Sequence, residues 1–173
     1  GLAGSFMSDT WLHSLGKRRL PMVNLSWLSM IQSIPTVTVD DEAVGRQAAR
    51  TLLERGWKNF VFAGNASLYF TQLRLKGFKR RLKESGTIPN LLPMAHRGET
   101  TEYLSGAEAS TAIFCATDQL ARSVARACRE AGREIPGEIG ILGVGNSPVE
   151  SIFAGIELSS IPLPSQAIGR QAA

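Results

Sequence analysis

The chain has 173 residues, of which 43% are apolar and 20% are charged, and its formal net charge at pH 7 is +4. This composition is ordinary for a folded globular protein, and without any run of 18 apolar residues the sequence predicts no membrane-spanning helix and no membrane partner. The basic clusters at 17–19 and 74–83 are more typical of a solvated face than of a nucleic-acid footprint.

Short apolar runs predict strands along much of the chain. The runs are continuous rather than alternating, which is typical of a parallel sheet covered on both faces. They lie at Leu2–Phe6, Met22–Leu25, Thr36–Val39, Phe60–Ala63, Ala112–Cys115 and Ile139–Val144. The first residues, GLAGSF, read as the interior of a strand, and the last, IGRQAA, as a helix in its second turn. Both ends look interrupted, so we expect a fragment of a longer protein.

Helical periodicity separates several of these strands, and a glycine follows each pattern. The predicted helices are Asp41–Arg55 before Gly56, Thr71–Glu84 before Gly86, and Asp118–Ala131 before Gly132. Alternating strands and helices indicate βαβ units and therefore a doubly wound α/β fold. In such sheets ligands bind beyond the carboxyl ends of the strands, where loops lead into helices.

Catalytic motifs are missing from those loops. The sequence GILGVGNSP lacks the third glycine of a dinucleotide-binding loop because Pro148 occupies its position, and neither a phosphate-binding loop nor a Gly-x-Ser-x-Gly elbow occurs. Cys115 and Cys128 have no metal-site spacing, and His13 and His96 are far apart in sequence. We therefore expect a protein that is not an enzyme and needs neither a metal nor a cofactor.

Binding chemistry is better represented. A sugar offers apolar faces, which suit the rings of Tyr69 and Phe70, and a rim of hydroxyl groups, which suits Arg74 and Asp118. Asp118 also fits a plain structural role as a helix N-cap, and the two roles are compatible.

Four segments carry a resemblance to a known family. They are IPTVTVDDEAVGRQAARTLLERGWKNFVFAGN at 34–65, LRLKGF at 73–78, AIFCATDQLARSVARACREAG at 112–132 and IPGEIGILGVGN at 135–146. In this order they resemble the effector-binding domain of the LacI/GalR family of bacterial transcription regulators. Each motif alone is weak, whereas their order and spacing are fairly specific, and the resemblance covers nearly the whole chain.

The resemblance implies a periplasmic-binding-protein-like fold, with doubly wound parallel sheets in two lobes that hold the effector between them. Residues 1–38 would form part of the first lobe, which is incomplete in this chain, 39–160 the second lobe, and 161–173 a return segment to the first. The pentapeptide Gly-Arg-Gln-Ala-Ala, at 45–49 and 169–173, would then begin the equivalent helix of each lobe. Between Pro93 and Ala112 there is barely enough room for the helix that the family has there, so either a loop is shortened or residues are absent.

The resemblance also implies the site. Ser26 stands where many members have an acidic residue, and Gly145 replaces a family aspartate, which leaves Asn146 as the polar candidate in that loop. The predicted effector-binding residues are Arg74, Asp118, Thr117, Phe70, Tyr69, Asn146, Ser26 and Trp27. We expect Arg74→Ala to abolish the effector response and to leave folding intact.

The implied function is control of transcription by a small-molecule effector, expected to be a sugar, in a cytoplasmic homodimer that binds DNA through a module outside this chain. The segment 143–164 is similar to the xylose-operon regulators of the family. The alternative is a periplasmic sugar-binding protein of a transport system, which shares the fold.

Overall fold

The computed structural model describes residues 22–25, 34–94 and 96–173. Helices and strands alternate along it. In chain order they are α1 (Asp41–Glu54), β1 (Asn59–Ala63), α2 (Tyr69–Glu84), β2 (Asn90–Leu91), α3 (Arg97–Ser105), β3 (Thr111–Cys115), α4 (Asp118–Glu130), β4 (Ile139–Val144), α5 (Pro148–Ala154), β5 (Ser159–Ile161) and α6 (Ser165–Ala172). Within these ranges none of the helices is both long and apolar enough to cross a membrane.

The strands form one parallel sheet in the order β2-β1-β3-β4-β5. The central register is in step, since Asn59 of β1 pairs with Thr111 of β3, and Thr111 pairs with Ile139 of β4. Strands β1, β3 and β4 therefore begin together and release their following loops at the same edge of the sheet.

Helices cover both faces of this sheet, as the continuous apolar runs predict. Alternate side chains of β1 point to opposite faces, so that Phe60 and Phe62 pack with α1 and α2, whereas Val61 and Ala63 pack with the layer formed by α3, α4 and α5. The predicted α/β fold with a parallel sheet is confirmed.

Helices α1 and α2 cross with their backbones in contact. A Cβ atom on Gly45 would overlap the carbonyl oxygen of Arg74, and a Cβ on Gly77 would overlap that of Glu42. The first copy of the repeated pentapeptide thus lies within α1, from its fifth residue onward, and the helix needs the glycine for this crossing. The second copy lies in α6, as predicted, where a Cβ on Gly169 would meet nothing within 4 Å among the described residues.

We expect Gly45→Ala to lower the free energy of unfolding by about 1–3 kcal/mol, because the added methyl group pushes α1 away from α2. Gly98→Ala is the matched control: Gly98 also lies in a helix, with open space around its Cα, and alanine there favours the helix. Urea denaturation followed by circular dichroism measures both. Equal stability of the two variants would contradict the close crossing.

Several predicted elements differ from the observed ones. Met22–Leu25 and Thr36–Val39 are joined by a single bridge, Asn24 to Thr36, rather than forming strands, because the pairing does not extend beyond these two residues. Leu2–Phe6 lies outside the described residues. Helix α2 begins two residues earlier than predicted. The short segment before β3 does hold a helix, the nine-residue α3.

Candidate effector-binding site

The candidate site is built from the loops that follow three neighbouring strands. The loops are 64–68 after β1, 116–117 after β3 and 145–147 after β4. The backbone N–H of Ala116 donates to the carbonyl oxygen of Ala63 at 2.8 Å, which joins the first two loops at their starts. The parallel sheet thus brings together side chains that are up to 77 residues apart in sequence, from Tyr69 to Asn146.

Arg74 lies beneath the site rather than on its surface, with 2% of its side chain exposed. Its Nε and Nη2 donate to Oδ1 of Asp41 at 2.8 and 2.7 Å, and its Nη1 donates to the carbonyl oxygen of Ala116. The guanidinium carbon lies 4.9 Å from the centre of the Phe70 ring. Arg74 therefore connects α1, α2 and the loop after β3.

Burial dominates the electrostatics of this ion pair. It raises the pKa of the Asp41 carboxyl, although the charge and hydrogen bond of Arg74 act in the opposite direction. Burial likewise lowers the pKa of Arg74, against the stabilising effects of Asp41 and Asp118. Each charge of the pair is thus balanced by the other inside the protein. Removing these two charges from water costs more free energy than forming an ion pair at the surface.

Of the three predicted aromatic contacts, Tyr69 and Phe70 lie in the described part of the chain, and they differ in exposure. Tyr69 is 47% exposed at the start of α2, whereas Phe70 is 4% exposed and supports Arg74 from below. Of these two rings, the phenol of Tyr69 is the one that a ligand can reach.

The N-cap of α4 is Thr117, and the prediction that Asp118 caps the helix is wrong by one residue. The hydroxyl oxygen of Thr117 accepts the backbone N–H of Leu120 at 3.2 Å, because an extended residue before the first turn is the one whose side chain can reach back to it. Asp118 is instead the first residue of the helix and is 4% exposed.

The Asp118 carboxylate binds two partners on other elements. Its Oδ2 accepts the backbone N–H of Ser147 at 2.8 Å, and its Oδ1 accepts the hydroxyl of Ser160 in β5 at 2.6 Å. Asn146 directly precedes Ser147 in the chain, and its side chain is exposed. Ser26 and Trp27 lie outside the described residues.

Sequence reasoning missed three residues of this cluster: Asp41, Ser147 and Ser160. The sequence does carry a signal for Asp41. Two consecutive aspartates stand at the start of α1, and Asp40 alone provides the N-cap, because its Oδ1 accepts the N–H of Ala43 at 2.8 Å. The second aspartate is not needed for capping, which points to another role. The two serines carry no such signal, because their contacts depend on which strand lies beside β4.

The exposed groups suit hydrogen bonding and stacking rather than covalent chemistry. Both cysteine thiols are buried, and burial raises the pKa of Cys128 to about 11 and that of Cys115 well above its usual range. In the described part of the chain no three His, Cys, Asp or Glu side chains are grouped to hold a metal ion. A phenol ring, a hydroxyl and an amide remain at the surface of the site.

Comparisons with known proteins agree with this architecture. Residues 49–173 match the family model of the periplasmic binding protein-like domain. Catabolite control protein A of Priestia megaterium is 29% identical over 175 aligned positions, which include 94% of this chain and 52% of that protein. The chain spans about half the length of the curated relatives it matches.

Two solved structures are similar in fold. A periplasmic binding protein/LacI transcriptional regulator from Alkaliphilus metalliredigens, in complex with D-xylulofuranose, has a TM-score of 0.77 at 21% identity, over 94% of this chain and 70% of that one. A LacI family regulator from Enterococcus faecium with bound ribose has a TM-score of 0.75 at 24% identity, over 96% of this chain and 65% of that one. The chain therefore belongs to the periplasmic binding protein-like domain family, in the form that LacI/GalR-type transcription regulators carry.

Proposed function

We propose that this chain is the effector-binding domain of a DNA-binding transcription regulator and that its effector is a sugar. The observation that carries the proposal is the position of Tyr69, Thr117 and Asn146, which follow three neighbouring strands at one edge of a parallel sheet. Two regulators with the same fold hold a sugar, and this supports the effector class. The curated relatives are transcription regulators, so the transport alternative is not favoured.

Each predicted site residue takes a role in this proposal. The Tyr69 ring stacks on a sugar face, Thr117 donates its hydroxyl hydrogen, and the Asn146 amide binds a neighbouring sugar hydroxyl. Arg74 uses three donor atoms on Asp41 and Ala116, so its contact with the effector is made by the remaining N–H groups of its fork. The supporting residues are Phe70 and Asp118, and Ser26 with Trp27 would face the sugar from the first lobe.

The domain division completes the mechanism. Residues 39–160 form one lobe, 1–38 belong to the other, and 161–173 return to it, with the effector between them. Binding shifts an equilibrium between open and closed lobes, by an amount set by the difference between the effector's affinities for the two states. The change passes to DNA through a module outside this chain, in the cytoplasm. The similarity to xylose-operon regulators stays a prediction.

The test uses the whole protein with D-ribose and D-xylulose as the first probes. At about 100 times its dissociation constant, a bound sugar should raise the free energy of unfolding by about 2.7 kcal/mol. The same sugar should change the affinity for DNA upstream of the protein's own gene by about five-fold or more. Asn146→Gly, which keeps the left-handed backbone, should weaken sugar binding, whereas Ser110→Gly, at another left-handed residue that precedes β3 at the opposite edge of the sheet, should not. A sugar that stabilises the protein but leaves DNA binding unchanged would contradict the regulator role.

We infer further that the protein is a homodimer whose contact surface includes the exposed face of α5 and the neighbouring side of α4. Three side chains at helical spacing in α5 point to solvent: Val149, Ile152 and Phe153 are 54%, 76% and 70% exposed. Phe153 also lines a cavity of about 460 Å³ together with Met94 and the arginines of α4, so the apolar patch on α5 borders a basic surface. Exposed patches of this kind mark association surfaces, and a second copy is the occupant that we propose.

A further inference from the structure

The loop between β4 and α5 has an unusual backbone. Two consecutive residues take left-handed conformations, Gly145 with φ of 130° and Asn146 with φ of 53°. Asparagine takes this conformation more readily than most residues other than glycine, and contacts with the surroundings hold it in place. The exposed side chain of Asn146 therefore depends on contacts made elsewhere.

Strand β5 supplies the first set of contacts. The N–H of Gly145 donates to the carbonyl oxygen of Ile161 at 2.9 Å, and the N–H of Asn146 donates to the Ser160 hydroxyl oxygen at 2.9 Å. The first is a backbone contact that any residue could make. The second requires a hydroxyl at position 160.

Asp118 supplies the second set. Its carboxylate accepts both the Ser160 hydroxyl and the N–H of Ser147, so that a single side chain holds β5 and the start of α5 together. A Cβ on Gly143 would overlap Oδ1 of Asp118, so the glycine in β4 leaves the space in which the carboxylate lies. These contacts span α4, β4, the loop and β5.

We propose that Asp118 and Ser160 form a clamp that fixes loop 145–147 on β5 and so sets the position of Asn146. The inference rests on the proposed function in so far as Asn146 contacts the effector. It makes Asp118 and Ser160 positioning residues, which act through Asn146. Because β5 ends at Ile161, the first residue of the proposed return segment 161–173, the clamp also connects the effector-binding loop to that segment.

Amide hydrogen exchange in the whole protein tests the clamp without any effector. Ser160→Ala removes both the acceptor for Asn146 and the donor to Asp118, so exchange of the Asn146 N–H should quicken by about tenfold. The Gly145 N–H, which binds a backbone carbonyl, should keep its rate and is the internal control. Ser160→Thr restores the hydroxyl and should restore slow exchange, and Ser159→Ala on the same strand should have no effect.

Unchanged exchange at Asn146 in Ser160→Ala would overturn the clamp, as would equal quickening at Gly145 and throughout β4, which would indicate a general loss of structure. If D-ribose or D-xylulose binds, its affinity gives the second readout. Ser160→Ala should weaken its binding about tenfold, and Asn146→Gly should add little in the same chain, because both changes remove one contact. If no sugar binds, the proposed function fails while the exchange result still decides the clamp.

Discussion

Replacing Arg74 by alanine is expected to lower the free energy of unfolding by about 3–5 kcal/mol. The change leaves the Asp41 carboxylate buried without its cation and removes a donor from the carbonyl oxygen of Ala116. A loss of this size is a large fraction of the about 5–15 kcal/mol that stabilises a domain. Urea denaturation at pH 7 measures it. From the sequence we expected this variant to fold normally, whereas from the structure we expect it to lose much of its stability.

The control is Arg50→Ala, which breaks an ion pair of similar geometry on the surface of α1. Arg50 and Glu54 are 2.7 Å apart, but both side chains are well exposed, so no measurable change is expected. Equal stability of the Arg74→Ala protein and the parent would show that the buried pair is dispensable.

The cost of Arg74→Ala should also depend on pH, and the sign follows from Asp41. Burial already raises the pKa of Asp41 in the folded protein, and loss of Arg74 removes two effects that lower it, so the carboxyl takes up a proton more readily in the folded variant than in the unfolded chain. A raised folded pKa means that stability is regained as the pH falls through that pKa. The deficit relative to the parent should be largest at neutral pH and should shrink on acidification. Adding Asp41→Asn should remove this dependence.

Effector recognition by Arg74 needs a milder change. Arg74→Lys keeps a cation beside Asp41 but loses the planar fork, so the protein should stay folded while any contact made by the remaining guanidinium N–H groups is lost. Reduced sugar affinity in a folded Arg74→Lys protein would place Arg74 in the site.

The long elements of the fold could be predicted from the sequence because each carries its own periodicity. Helices α1 and α4 agree with their predicted spans to within one residue at each end, and the glycines that follow them, Gly56 and Gly132, have the positive φ expected of helix stops. Short elements gave no such signal. Strand β5 has three residues and is defined by its pairing with β4, which the sequence alone does not record.

The site was predictable in its location but not in its internal contacts. Parallel strands bring their following loops to one edge, so the grouping of Tyr69, Thr117 and Asn146 follows from the fold class. Which of the charged residues face a ligand does not follow. Asp118 and Arg74 both look like ligand-binding groups in sequence, yet each is less than 5% exposed and bonded to protein partners that come from distant elements.

If the protein is the homodimer that we propose, replacing Phe153 by glutamate is expected to convert it into a monomer. The ring is 70% exposed on α5 and lies near Arg122 of α4, whose Cζ is 6.0 Å from its centre. Aromatic residues at the centre of an interface contribute about 2 kcal/mol or more, and a carboxylate in the same place must also be desolvated, so the dimer should weaken by at least about thirtyfold. Light scattering after size-exclusion chromatography measures the mass of the whole protein.

Ile88→Glu provides the matched control, because Ile88 is 77% exposed but precedes β2, on another part of the surface. Ile88→Glu should leave the dimer intact. Both variants should remain folded, and urea denaturation of each protein checks this. A dimer that survives Phe153→Glu would remove this face from the contact surface, and a monomeric parent protein would refute the homodimer itself. Loss of dimerisation together with loss of DNA binding, at unchanged sugar affinity, would show that the α4–α5 face serves the DNA-binding assembly rather than the effector site.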